Sequence, residues 1–125
     1  MRIALPEWQG RISPVFDTAR TIILADCQKG KELGRSTEQL NELVMPVRVR
    51  RITGLGVNVL LCGAISRPLA GMLASAGISV IPFLSGEIDN VLSGYLNGEL
   101  AAPQFLMPGC RGRRGRFGKR YGSGI

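Results

Sequence analysis

Cysteine supplies the most reactive side chains of this chain, which contains Cys27, Cys62 and Cys110 and no histidine. A thiolate is the soft ligand that iron–sulfur species select. No two cysteines have the CxxC spacing, and three thiols cannot complete a four-thiolate or zinc site within one chain. Their odd number and unrelated spacings also argue against a disulfide framework and indicate reduced thiols in a cytoplasm.

Each cysteine has a structural and a chemical interpretation. Cys62 ends an apolar run, so it is either a core residue or a thiolate in a crevice, with its pKa lowered by the amides of the following helix. Cys110 precedes Arg111, a setting that favours a thiolate, or else it is an incidental cysteine. Cys27 ends a strand at a hairpin and is predicted to be structural. Cys62 and Cys110 are therefore the candidate metal ligands.

The turn after Cys62 has the chemistry of an anion site. Val57–Cys62 predicts a buried strand, and Ser66 and Pro68 predict the start of a helix. Free N–H groups and the positive helix end would face a bound anion. An ordinary strand–helix turn is the alternative. The candidate binding residues are Cys62, the residues after it and two donors expected across the crevice: Cys62, Gly63, Ala64, Ile65, Ser66, Arg67, Arg11 and Ser13.

Catalytic interpretations find little support. Without histidine there is no Ser-His or Cys-His pair and no imidazole base. A two-metal nuclease needs clustered carboxylates, one of them on the first strand. Arg2–Leu5 contains no acid, and Asp17 and Asp26 are too few. We therefore expect a protein that binds its ligand and is not an enzyme.

The elements that must position these residues begin with three strands. These are Arg2–Leu5, ending at Pro6 before a loop over 7–14, then Arg20–Cys27 and Glu32–Gln39. Helices and strands alternate afterwards. The predicted elements are a helix over about Pro46–Thr53, the strand Val57–Cys62, a helix from Ser66 to Gly77, the strand Ile78–Pro82, and a helix capped by Ser85 and ended by Gly98.

This order predicts the sheet. Hairpins make the second strand antiparallel, whereas strand–helix–strand crossovers pair parallel strands. We predict an α/β fold with a mixed five-stranded sheet, order 3-2-1-4-5 with strand 2 antiparallel, flanked by about three helices. Strands 1 and 4 are then neighbours. The loop Glu7–Ser13 and the turn Gly63–Ser66 should converge on one crevice, where open α/β sheets bind ligands.

The net charge of +7 is unevenly distributed along the 125 residues. Six cations and no acid follow position 110, which leaves ten cations and nine acids before it. We predict one domain over 1–107 and a Gly/Arg-rich, flexible basic tail over 108–125. No apolar run approaches the roughly 20 residues of a membrane helix, so no membrane association is expected.

A resemblance to a known family rests on the element order, the segments Arg11–Asp17 (RISPVFD) and Leu61–Ser66 (LCGAIS), and the Gly-rich tail. On these features the chain resembles the dinitrogenase iron–molybdenum cofactor biosynthesis family over positions 1–105. The resemblance implies a ribonuclease-H-like fold. Because some members carry iron–sulfur or iron–molybdenum cluster precursors for nitrogenase assembly, it also implies such a cluster as ligand, and cluster donor or acceptor proteins as partners.

The chain departs from this family in one respect. Cluster-binding members are expected to use histidine among their ligands, and this chain has none. A cluster would have to be held by cysteine thiolate, carboxylate or backbone contacts.

The tail supports a second class of function, a basic-tailed module that binds nucleic acid or a protein partner. Arginine, glycine and spaced aromatic residues over Arg111–Tyr121 suit phosphate pairing and base stacking on single-stranded nucleic acid. A solubilising tail, or one that folds over the crevice of its own domain, is the alternative. We expect weak, non-specific association with nucleic acid only.

Removing residues 111–125 should leave thermal stability nearly unchanged, because a segment without a core-forming pattern buries little apolar surface. If the chain is instead a nucleic-acid-binding module, the truncation removes most of the affinity, and binding by the intact chain falls steeply with salt. Binding of a single-stranded oligonucleotide at two salt concentrations, with and without the tail, separates the two classes. Tight, tail-dependent, salt-sensitive binding would contradict the carrier interpretation.

Overall fold

A mixed β-sheet with helices on both faces organises residues 1–107, the part of the chain that the computed structural model describes. The predicted tail over 108–125 and Cys110 lie outside this part. The strands and helices of the described part, in chain order, are β1 (Arg2–Trp8), β2 (Arg11–Ile12), β3 (Thr21–Gln28), β4 (Lys31–Gln39), α1 (Met45–Gly54), β5 (Val59–Leu61), α2 (Arg67–Ser75), β6 (Ser79–Ile81) and α3 (Ile88–Leu96).

The strand order is β4-β3-β1-β5-β6, with β2 paired to β1 beside this path. β3 is antiparallel to both of its neighbours, and β1, β5 and β6 are parallel to one another. This confirms the predicted α/β fold and the order 3-2-1-4-5 with an antiparallel second strand. Strands joined by short connections pair antiparallel, whereas strands joined by the crossovers through α1 and α2 run parallel.

The prediction of a loop over 7–14 is wrong at Glu7–Trp8 and at Arg11–Ile12, which are strand. β1 continues through Pro6 to Trp8 and forms a tight hairpin with β2. The two turn residues, Gln9 and Gly10, have φ of 53° and 80°, the left-handed backbone that two-residue hairpins require. Pro6 is tolerated because its carbonyl accepts the N–H of Ser13 at 2.8 Å, on the side away from β3. Its missing N–H therefore removes no bond between β1 and β3.

The sheet separates two hydrophobic cores. α1 and α2 cover one face, where Leu60 and Leu73 are fully buried. α3 and Phe105 cover the other face, where Val91 of α3 is buried in the same core as Leu61 of β5. All three residues of β5 are buried, which explains why this strand is a continuous apolar run in the sequence. None of the described helices is long and apolar enough to cross a membrane.

The helix starts were predicted with mixed success. α2 begins directly after Ser66 with Pro68 in its first turn, as predicted, although the Ser66 side chain makes no capping hydrogen bond. α3 begins after Glu87, so the prediction of Ser85 as its cap is wrong. The Ser85 hydroxyl instead donates to the carbonyl of Leu106 at 3.3 Å and so holds the segment that follows α3.

Gly94 of α3 tests how tightly Leu100 and Phe105, in the segment that follows this helix, pack on it. A Cβ at Gly94 would lie 2.9 Å from Phe105 Cζ and 3.3 Å from Leu100 Cδ2. Gly94→Ala should therefore lower the free energy of unfolding by about 1–3 kcal/mol through overpacking. Gly71→Ala is the matched control, because a Cβ on that exposed position of α2 meets nothing, and helix propensity should stabilise it by about 0.5–1 kcal/mol. Urea unfolding measures both, and midpoints that move together would contradict this packing.

Candidate functional site

The turn Gly63–Ser66 pairs directly with the segment over 13–16, of which only Ser13 belongs to the loop predicted to face the turn across a crevice. Val15 forms a parallel bridge with Ala64. The N–H of Phe16 donates to the Ala64 carbonyl, and the N–H of Ala64 donates to the Pro14 carbonyl, both at 2.8 Å. The main chain therefore fills the space between these two segments, where open α/β sheets bind ligands.

Gly63 is required by this close approach. A Cβ on Gly63 would lie 2.7 Å from the carbonyl oxygens of both Ser13 and Pro14, closer than a side-chain carbon can come. The glycine therefore allows the loop to pack against the turn. This is a structural reason for a residue that the sequence analysis assigned to ligand binding.

The amino end of α2 is occupied by a carboxylate from the chain itself. The Ser66 N–H donates to Asp17 Oδ1 at 2.8 Å. A negative charge at this helix end is favourable, as predicted, but the structure supplies that charge internally. Ser66 Oγ is buried without a hydrogen-bond partner among the described residues, and Arg67 is exposed on the first turn of the helix.

Of the two interpretations of Cys62, the structure favours the core residue. Its side chain is fully buried in the core beneath α1 and α2. Burial raises the pKa of the Cys62 thiol, and the charge of Asp17 raises it further, which is the opposite of the lowered pKa expected from a helix end. Cys27 is also buried, in agreement with a structural role, and burial raises its pKa as well.

No metal centre is assembled within residues 1–107. Nowhere in this part of the chain do three Cys, Asp or Glu side chains come together in a way that could hold a metal ion. Ligation by Cys62 would require the end of β5 to open. The second predicted ligand, Cys110, lies beyond the described residues and stays a prediction.

An open cleft lies beside the closed turn, under the β1–β2 hairpin. It has a volume of about 400 Å³. Ser13, one of the predicted site residues, lines it and is only 7% exposed. Trp8 stands at the cleft with 56% of its surface exposed. The lining residues are Glu7, Trp8, Ser13, Pro14, Val15, Thr18, Ala19, Arg20 and Thr21.

The charges around the cleft differ from those predicted. Arg11 is exposed on β2, where its backbone bridges to Glu87, and neither Arg11 nor Arg67 lines the cleft. The lining cation is Arg20, which the sequence analysis did not select. The lining acid, Glu7, is engaged in the hairpin, since its Oε2 accepts the N–H of Gly10 at 2.7 Å.

Arg48 of α1 holds the loop that forms one wall of the cleft. It is only 1% exposed. Its guanidinium donates to the carbonyls of Phe16 (2.7 Å) and Ala19, at the two ends of the 3-10 turn over 16–19, and to that of Glu42 (2.9 Å). It also lies 4.9 Å from the centroid of the Phe16 ring. Burial lowers the pKa of Arg48, an effect opposed by the charges of Asp17 and Glu42.

Sequence reasoning missed Arg48, although a signal was present. Within the helix, position 48 lies four residues before Ile52 and next to Val49, and both of these are buried. A cation on the apolar stripe of a helix indicates a buried group that needs acceptors. Asp17 was likewise considered only as a catalytic acid, and its role as a helix cap was not predicted.

The fold and the site together define an open α/β protein, with a mixed sheet and a small cleft beside the carboxyl end of its central strand. The family model described as dinitrogenase iron-molybdenum cofactor matches residues 1–98. The chain belongs to this family, which confirms the resemblance found in the sequence. No curated protein matches the chain.

Solved structures agree on the fold. The crystal structure of PH0822 has a TM-score of 0.73 at 21% identity, covering 79% of this chain and 92% of that one. MJ0327 from Methanocaldococcus jannaschii has a TM-score of 0.63 at 20% identity over 79% and 90%. The apo form of the orange protein from Desulfovibrio gigas has a TM-score of 0.66 at 22% identity over 86% and 92%. At these identities the likeness concerns the fold alone.

Replacing Arg48 tests whether it supports the loop. Arg48→Met should lower the free energy of unfolding by about 2–4 kcal/mol, because several buried carbonyls lose their donor. Arg48→Lys should recover only part of this loss, since an ammonium group cannot reproduce the fork of the guanidinium. Arg50→Met, an exposed neighbour on the same helix, should change stability by less than about 0.5 kcal/mol. Chemical denaturation measures all three, and a fully stable Arg48→Met variant would contradict this role.

Proposed function

We propose that this protein binds and carries a metal-cluster precursor of the iron–sulfur or iron–molybdenum type, as in the assembly of a nitrogenase cofactor, without catalysing a reaction on it. Membership of the dinitrogenase iron-molybdenum cofactor family supports the class of cargo. The observation that carries the location is the cleft, which a largely buried serine, an arginine and a tryptophan line together.

The cleft suits an anionic cluster that keeps its own sulfide ligands. Its volume of about 400 Å³ lies in the range of small-ligand sites. Arg20 supplies a positive charge, and the Ser13 hydroxyl supplies a donor. Trp8 and Val15 supply apolar surface that can cover the soft sulfur atoms. Hydrogen bonds to sulfur and partial burial are the means by which proteins tune such clusters.

This proposal differs from thiolate ligation by Cys62. The buried thiol has a raised pKa and lies in the core, so the contacts available to cargo within residues 1–107 come from the cleft. A cluster held by charge and hydrogen bonds is more easily transferred than one bound covalently through thiolates. That property suits a carrier between cluster donor and acceptor proteins in the cytoplasm, which are the partners proposed here.

The proposal is tested by anaerobic titration with a synthetic, thiolate-ligated [4Fe–4S] cluster. Trp8 is the single tryptophan of the chain, so quenching of its fluorescence reports binding at the cleft. Arg20→Ala should weaken binding about tenfold, since one charge-assisted contact is lost. Arg11→Ala is the matched control, because Arg11 is an exposed arginine on the β1–β2 hairpin and does not line the cleft.

Iron and sulfide analysis of the protein after gel filtration separates the ligand sets. Cys62→Ala should retain parental loading if the cleft holds the cluster. Loading lost in Cys62→Ala, but retained in Arg20→Ala, would overturn the cleft and restore thiolate ligation. Cys110→Ser tests the remaining predicted ligand in the same assay.

A further inference from the structure

A groove of about 840 Å³ lies between α1 and α2 on the side of the helices that faces away from the sheet. Val49 at its base is buried and Met72 is half-buried, whereas the proline near the start of each helix is exposed. The lining residues are Pro46, Val49, Arg50, Pro68, Gly71, Met72, Ser75 and Ala76. The groove is therefore largely apolar, with one cation in its wall.

Further apolar surface leads into the groove. Leu43 and Val44 come immediately before α1 and are 51% and 65% exposed. Two neighbouring aliphatic side chains left in water have no structural explanation within the fold of residues 1–107. Together with Pro46 they extend the apolar surface beyond the groove at the amino end of α1.

The charged side chain that lines the groove is a cation. The chain contains no Asp or Glu between positions 43 and 86. Arg50 lines the groove, and Arg67 is exposed beside Pro68, which lines it too. Neither helix has an acid in its first turn, and Val44 gives α1 no side-chain cap. The amino end of α2 is already capped by Asp17, so the positive charge available at the groove is that of the two arginines.

We propose that the groove between α1 and α2 docks an acidic, amphipathic segment of a protein partner. Apolar side chains of the segment would lie on Val49 and Met72, and its carboxylates would meet Arg50 and Arg67. A nucleic acid would use the cations but not the apolar floor, and a second copy of this groove would bring like charges together. The proposal is independent of cluster binding, because the groove shares no residue with the cleft.

A phage-displayed library of random peptides about 16 residues long, enough for roughly four helical turns, is the probe. Selection on the full chain should enrich acidic peptides with apolar residues at i, i+3 or i+4 and i+7. Anisotropy then measures the affinity of the most enriched peptide, labelled with a fluorophore. Affinity should fall with rising salt, since exposed charges are screened.

Variants locate the binding. Arg50→Glu and Gly71→Glu should each weaken the peptide about tenfold or more, because they place a negative charge in the groove. Gly71→Lys has similar bulk and opposite charge and should bind at least as tightly as the parent. Gly34→Glu on β4 is a remote control. A Cβ meets nothing at Gly71 or Gly34, so these variants should fold, which circular dichroism checks.

Several outcomes would overturn the proposal. These are the absence of any enriched peptide, enrichment of neutral or basic peptides, and parental affinity in Arg50→Glu. Vesicles containing anionic phospholipid and a single-stranded oligonucleotide are tested in parallel. If either one binds with dependence on Arg50 while no peptide does, the surface is assigned to that partner instead.

Discussion

The loop that forms one wall of the cleft depends on the hydrogen bonds of one buried guanidinium, that of Arg48. Removing a charge from water is unfavourable unless its N–H groups find acceptors. Arg48 finds them in the carbonyls of Phe16, Ala19 and Glu42 and rests against the Phe16 ring. Because these carbonyls come from two separate segments, one side chain fixes both the 3-10 turn beside the cleft and the approach of the chain to α1.

The 3-10 turn held by Arg48 and the loop next to it fill the place where open α/β sheets usually bind ligands. Asp17 caps the Ser66 amide, and the neighbouring loop pairs with Ala64. The amides of the strand–helix turn are thus used by the fold itself. Space for a ligand remains only to one side, where side chains of the loop and hairpin replace backbone amides as the available contacts. The proposed recognition of cargo there uses Ser13, Arg20 and Trp8.

The sequence was most informative where local pattern and topology agree. The apolar run Val57–Cys62, the helix after Ser66 and the short connections among the first strands were enough to predict the strand order. The β1–β2 hairpin was missed because Pro6 suggested a break, whereas the left-handed turn at Gln9 and Gly10 decides the local structure. A proline blocks a strand only where its missing N–H is needed.

The candidate site was harder to predict because tertiary contacts decide it. Nothing local shows that Asp17 reaches Ser66 or that Arg48 turns inward, since both effects depend on segments far apart in the chain. Cys62 was correctly placed at a strand end, but whether its thiol faces solvent depends on how the helices cover that end. Spacing along a strand predicts a face of the sheet, and packing alone determines which side chains on that face stay accessible.

The central position of β1 has a consequence for the order in which the structure can form. Ile3 pairs with Ala25 on one side and with Val59 on the other. During translation the pairing with β3 becomes possible early, while the opposite edge of β1 waits until β5 has been synthesised. Unpaired apolar strand edges are templates for association between chains. Between completion of β4 and the arrival of β5, the nascent chain therefore carries an open apolar edge on β1.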